Sequence, residues 1–80
     1  SLYQLFRFVD RSDVTISSSY AQFILAQLSS HELIILFYAG LNKTDGIKLK
    51  YYIEKFNLLQ NLDTNLVFNQ AHIQAYANQN

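Results

Sequence analysis

The chain has 80 residues with six Lys or Arg and six Asp or Glu, so its formal charge is zero. Half of the residues are apolar, 15% are aromatic, and Cys, Pro, Met and Trp are absent. A chain of this length forms one domain, its aromatic content argues against disorder, and the lack of Cys excludes disulfides and thiolate zinc sites. The balanced charge argues against nucleic acid as the main partner, because binding to phosphates requires clustered cations.

Two amphipathic helices are predicted in the first 28 residues. Four apolar residues near the start recur at helical spacing and form one stripe: Leu2, Leu5, Phe6 and Val9. A polar segment follows, and we expect its serines at 17–19 to cap the second helix. The second helix is predicted to bury a stripe of its own, with Ala21 and Leu25 joined to four larger residues: Tyr20, Phe23, Ile24 and Leu28. If Gln27 is buried there, its amide must hydrogen-bond the backbone of a neighbouring helix.

The third predicted helix begins at the clearest local signal in the chain. Ser29 and Glu32 have the S-x-x-E spacing of a capping box, directly before an apolar run. The helix over about 30–39 is apolar on nearly all sides, so we expect neighbours to cover it and we place it at the centre of the domain. Gly40 is predicted to end this helix in the left-handed conformation, with Asn42 as the second candidate.

A fourth helix is predicted to begin after Thr44 or Asp45. Its buried stripe consists of four residues: Leu49, Tyr52, Ile53 and Phe56. Its exposed side carries Lys48, Tyr51 and Lys55, which form a candidate interaction surface. After it the chain is rich in Asn and Gln, and we expect a last helix from about 65 to 77 and a frayed tail at 78–80.

These elements predict an all-α domain, a small bundle of four to five helices around the apolar helix at about 30–39. The domain spans residues 1–80, and we interpret it as part of a longer parent protein because the chain starts within a helical pattern and without Met. Strand-type alternation is not sustained beyond a few residues.

The sequence contains no recognisable catalytic or metal-binding pattern. Neither His31 nor His72 has a His, Asp or Glu three or four residues away, which is the spacing that brings ligands together on a helix. There is no Gly-x-Ser-x-Gly elbow and no Gly-rich phosphate loop. We therefore expect no metal, no cofactor and no enzymatic activity for this segment. No apolar run approaches the ~20 residues that span a bilayer, so we also expect no membrane contact by this segment.

One alternative from another functional class rests on the fourth helix. Its lysines, Lys48, Lys50 and Lys55, would serve an RNA-binding domain or a domain associated with a nuclease toxin, with Tyr51 beside them. A solvated helix face is the simpler interpretation of such a charge pattern. A further alternative is a dimerisation bundle, because a small domain offers few partners to cover so apolar a third helix.

Three segments of the sequence resemble the bacterial family of putative phage abortive infection proteins. They are LYQLFRFVD at 2–10, ILAQLSSHELIILFY at 24–38 and KYYIEKFNLLQNL at 50–62. Members of that family often have Arg where this chain has Leu25, and another residue where it has His31. The resemblance implies the C-terminal helical domain of a phage-defence protein whose parent continues upstream, frequently with membrane-spanning helices. The family supplies no catalytic residues that could be assigned to this chain.

From the resemblance we expect a non-enzymatic helical module of an abortive infection protein, acting in sensing or in protein–protein assembly. The expected partner is a protein, either a phage component or a second copy in a homodimer. The expected location is the cytoplasmic side of a bacterial cell, with the parent anchored in the inner membrane.

Overall fold

The computed structural model describes residues 1–12, 14–67 and 69–77, so the predicted frayed tail at 78–80 lies outside the described residues. The described part contains four α-helices: α1 (Leu2–Asp10), α2 (Val14–Ala26), α3 (Ser30–Gly40) and α4 (Ile47–Lys55). Two short 3-10 helices follow, Thr64–Leu66 and Gln70–Ala75. No strand occurs in the described ranges, and the predicted all-α bundle of four to five helices is confirmed.

The four helices surround one core. Helix α4 packs against both α1 and α3, while α1 also packs against α2. Residues from all four helices and from the segment after α4 fill the centre: Phe6, Ala21, Leu25, Phe37, Ile53 and Leu58. Leu25 is thus part of this core.

Helix α2 differs from its prediction in both its start and its buried side. It begins at Val14, so the serines at 17–19 lie inside the helix and do not cap it. Its buried side carries Ser17, Ala21 and Leu25, spaced four residues apart, whereas Tyr20 and Phe23 face water. The predicted stripe is therefore wrong in its two aromatic members, since the small side chains of Ser17 and Ala21 let this side of the helix approach its neighbours.

Helix α3 begins at a capping box. The Ser29 hydroxyl accepts a hydrogen bond from the Glu32 N–H (3.2 Å), and the Glu32 carboxylate accepts one from the Ser29 N–H (2.9 Å). These hydrogen bonds from Ser29 lower the pKa of Glu32, because they favour its charged form. The box satisfies two of the backbone N–H groups that a helix start leaves without partners.

The other end of α3 does not follow the prediction for Gly40. No described glycine has a positive φ, and α3 ends with Leu41 in the right-handed region. Gly40 is buried, and a Cβ atom added there would collide with the Tyr76 hydroxyl and come within 2.6 Å of Ile53 Cδ1. The glycine is therefore explained by close packing against residues distant in sequence.

Helix α4 buries the predicted stripe but has different ends. Its N-cap is Gly46 rather than Thr44 or Asp45. At its C-terminus Asn57 adopts a left-handed conformation with φ of 53°. The Leu58 N–H bonds to the Ile53 carbonyl (3.0 Å) in the pattern of a Schellman motif. Asparagine replaces the usual glycine here, and the motif directs Leu58 into the core.

The predicted last helix from about 65 to 77 is wrong as a single helix. Residues 64–66 and 70–75 form separate 3-10 helices, and Val67 and Asn69 have extended backbones. The Asp63 carboxylate accepts from the Asn65 N–H (3.0 Å), and the Asn69 amide oxygen accepts from the Ala71 N–H (2.9 Å). Each side chain thereby starts a new short turn, which competes with a continuous α-helix.

Candidate functional site

An open apolar groove lies between α1 and α2, and we call it the α1–α2 groove. It encloses about 470 Å³ and is lined by six apolar side chains: Leu5, Phe8, Val9, Tyr20, Phe23 and Ile24. Phe8 is 71% exposed and Phe23 68% exposed, and Tyr20 and Leu5 are exposed as well. A contiguous patch of exposed apolar residues of this kind is typical of a binding surface.

Two arginines border the groove on the α1 side. Arg7 and Arg11 stand one helical turn apart and, together with Phe8 and Ser12, line a shallow pocket next to the groove. Within the described ranges the one ion pair joins Lys55 to Asp10, so neither guanidinium has a carboxylate partner there. Residues 14–28 contain no charged side chain. The positive charge next to the described part of the groove therefore lies on its α1 side, where Phe8 and Ser12 are shared with the pocket of the two arginines.

The surface predicted on α4 is partly used within the domain. Lys48, Tyr51 and Lys55 are all exposed, as their spacing predicts. The Lys55 ammonium pairs with Asp10 of α1 and lies 5.7 Å from the centre of the Tyr51 ring. The hydrogen bond to Asp10 raises the pKa of Lys55. Lys55 therefore links α4 to α1 in addition to facing solvent.

Lys50, which belongs to the RNA-binding alternative, points toward the C-terminal segment. Its ammonium lies 5.7 Å from the centre of the Tyr76 ring, and the residue is half-buried. The lysines of α4 are therefore divided between solvent and contacts inside the domain. They do not form one open cationic face, which is what binding to a phosphate backbone requires.

Two hydrogen bonds hold the C-terminal segment against α3 and α4, and the sequence did not indicate either of them. The Tyr76 hydroxyl donates a hydrogen bond to the Phe37 carbonyl, and the Glu54 carboxylate accepts one from the Ala77 N–H (2.7 Å). The Leu41 N–H, which would bond Phe37 in a continuing helix, bonds to the Tyr38 carbonyl instead (3.1 Å). Tyr76 thus satisfies a carbonyl at the end of α3, and burial raises the pKa of its hydroxyl.

Gln22, rather than Gln27, connects α2 to another part of the backbone. Gln27 is exposed, and its amide bonds within its own helix to the Phe23 carbonyl (3.4 Å). The Gln22 amide donates to the Phe56 carbonyl (2.9 Å), and its oxygen accepts from the Gln60 amide (2.6 Å). The position of Gln22 next to Ala21 would have indicated this role if the buried side of α2 had been known.

The two histidines lie apart, as the sequence indicated. His31 is exposed in the first turn of α3, and His72 Nδ1 lies 3.2 Å from the Tyr38 hydroxyl. The part of the chain that the structure describes contains no cluster of three or more residues able to hold a metal ion. None of its helices has the length and apolar character needed to cross a membrane.

Together these features define a small all-α domain with an open apolar groove that is positive on one border. The family described as putative phage abortive infection protein matches residues 1–67, which include all four α-helices and the whole groove. The chain belongs to that family, and it is therefore a protein related to phage abortive infection. No curated protein and no solved structure matches the chain.

Proposed function

We propose that this chain is a non-enzymatic helical module of a phage abortive infection protein and that it binds another protein, in sensing or in assembly. Membership of the family supports the role in phage defence. The α1–α2 groove supports the binding role, and it is the observation that carries the proposal. Phe8, Tyr20 and Phe23 are more than half exposed and lie together in one groove. By contrast, Phe6, Phe37 and Phe56 are buried.

The exposed aromatic area of the groove would form a substantial part of a protein interface. Aromatic side chains bury ~150–250 Å² each when fully covered, so the exposed parts of Phe8, Tyr20 and Phe23 together present roughly 300–450 Å². A standard interface takes about 800 Å² from each partner. The three aromatic side chains would therefore supply about half of one side of such an interface.

The α4 surface supports binding less well. Lys55 is engaged with Asp10, and Lys50 is half-buried against the Tyr76 ring. Of the three lysines in the RNA-binding alternative, Lys48 alone extends into solvent without a contact to another described element. The proposal therefore rests on the groove and not on the lysines.

The test replaces the two most exposed aromatic residues in the intact protein. The variant Phe8→Asp with Phe23→Asp should lose phage restriction at least ~10-fold in plaque assays, since removing central aromatic anchors costs about 2 kcal/mol or more of binding. Ile47→Asp is the matched control, because Ile47 is 67% exposed and lies outside the groove. This control should restrict phage as the unmodified protein does.

Protein abundance and circular dichroism are measured for both variants. Full restriction by the double variant at unchanged abundance would overturn the proposal. If the charged variant accumulates poorly, the milder pair Phe8→Gln with Phe23→Gln takes its place and is judged by the same criterion. A Lys48→Glu variant should have no effect, whereas loss of restriction there would favour the RNA-binding alternative.

A further inference from the structure

The shape of the α1–α2 groove suits an α-helix. Helix α1 has nine residues and α2 has 13, which correspond to about 14 Å and 20 Å of length at 1.5 Å per residue. Phe8 stands on one wall and Phe23 on the other, with Val9 and Ile24 lower in the groove. A groove of two to three helical turns fits an amphipathic helix with apolar anchors at i, i+3 or i+4, and i+7.

The charge of the border restricts the chemistry of that helix. Arg7 and Arg11 are separated by one turn, about 6 Å along the axis, and both lie beside Phe8. Apart from Asp13, which lies outside the described residues, the sequence has no acidic residue between Arg11 and Glu32. Guanidinium groups pair with carboxylates in a strong two-bond geometry. A helix with acidic residues one turn apart beside its apolar stripe is therefore complementary to this border.

We infer that the α1–α2 groove binds an amphipathic α-helix of a protein partner, with the apolar stripe of that helix between Phe8 and Phe23 and its acidic flank against Arg7 and Arg11. The inference rests on the proposed function and adds the chemistry of the partner. The apolar contacts supply affinity, and the arginines select the partner and set its orientation.

A second copy of the chain is a less suitable occupant. In a symmetric dimer the same surface is used by both copies, so that Arg7 and Arg11 of each copy would enter one interface. The described part of the groove offers no carboxylate to receive them. Like charges brought together in this way oppose association.

An anionic membrane surface is also less suitable. Stable attraction to anionic lipids typically uses clusters of about 4–8 Lys or Arg, whereas the groove is bordered by Arg7 and Arg11 alone among the described residues. The aromatic side chains also line a concave groove, which suits the convex surface of a helix better than a flat bilayer.

The test uses designed helical peptides as probes. Two peptides share one Leu stripe at i, i+3, i+4 and i+7, and they differ only in carrying Glu or Lys at the flanking positions. Fluorescence anisotropy with the intact protein should show at least ~10-fold tighter binding of the Glu peptide, a preference that shrinks at high salt because salt screens exposed charge pairs. The variant Arg7→Glu with Arg11→Glu should reverse the preference, and Phe8→Asp with Phe23→Asp should abolish binding of both peptides.

Three results would overturn the inference. The first is equal binding of both peptides, or binding of neither, by the unmodified protein. The second is a dimer in analytical ultracentrifugation that Phe8→Asp with Phe23→Asp dissociates. The third is sedimentation with vesicles of phosphatidylcholine and phosphatidylserine that depends on Phe8. After any of these three results, the proposed function still holds if Phe8→Asp with Phe23→Asp loses phage restriction. Unchanged restriction in that variant would overturn the proposed function itself.

Discussion

Aromatic side chains have opposite environments in two regions of this small domain. On α1 and α2, Phe8 and Phe23 face water, with 71% and 68% of their surfaces exposed. Where α3 and α4 meet the C-terminal segment, Phe37 is 1% exposed and its ring lies 5.2 Å from that of Tyr76. The difference comes from the presence or absence of a covering segment, because residues 70–77 return to cover α3 and no described segment covers the groove. Residue type alone therefore does not separate the core from a binding surface.

The largest expected difference in stability is between two variants that each remove one aromatic ring, one from each region. Phe37→Ala should lower the free energy of unfolding by ~3–5 kcal/mol, because it leaves a cavity among buried neighbours. Phe23→Ala should change it by less than ~0.5 kcal/mol, since it removes little buried surface. Urea denaturation followed by circular dichroism measures both. Equal destabilisation by the two variants would contradict the comparison.

A medium effect is expected where Gly40 meets Tyr76. Gly40→Ala should cost about 1–2 kcal/mol, because overpacking at the Tyr76 hydroxyl outweighs the gain in helix propensity. Tyr76→Phe should cost ~1–3 kcal/mol, because the Phe37 carbonyl loses its donor. Removing the hydroxyl also relieves part of the clash. The double variant should therefore cost less than the sum of the two single changes in a double-mutant cycle, and simple additivity would show that the contact is unimportant.

The smallest difference between variants is expected at the capping box that starts α3. Ser29→Ala should cost ~1 kcal/mol at neutral pH, which is typical of a lost N-cap. The pKa of Glu32 is lower in the folded state than its ordinary value of 4.5. Its contribution is therefore fully present above pH 4.5 and is lost as the pH falls through the lower folded value. The main hydrogen bond to this carboxylate comes from the Ser29 backbone N–H, which Ser29→Ala keeps, so the pH dependence is tested with Glu32→Gln. Urea midpoints at pH 7 and pH 3 should differ less in Glu32→Gln than in the unmodified protein, and an identical pH dependence would contradict this role for Glu32.

Features controlled by nearby residues could be predicted from the sequence. The start of α3 depends on Ser29 and Glu32, three residues apart, and the buried stripe of α4 depends on residues within one helix. The absence of sustained alternation was enough to indicate an all-α fold. The apolar helix at about 30–39 could also be predicted, because its apolar residues are neighbours in the sequence.

Features controlled by distant residues could not be predicted in this way. Helix α2 has two sets of residues at helical spacing, one with Tyr20 and Phe23 and one with Ser17, Ala21 and Leu25, and the choice between them depends on how closely α2 approaches its neighbours. The predicted stripe combines members of both sets, Tyr20 and Phe23 together with Ala21 and Leu25, and for this reason it does not indicate the groove. Gly40 was likewise assigned a local role, although the residue it accommodates, Tyr76, lies 36 positions further along the chain.

The contacts of Tyr76 have a practical consequence for shortening the protein at its C-terminal side. The family match ends at residue 67, yet Tyr76 covers Phe37 and the Ala77 N–H bonds to Glu54. A version trimmed at the end of the match would expose the interior on one side and become sensitive to proteases there. Any minimal stable unit must therefore extend through Ala77, even though the last ten of those residues lie beyond the sequence shared with the family.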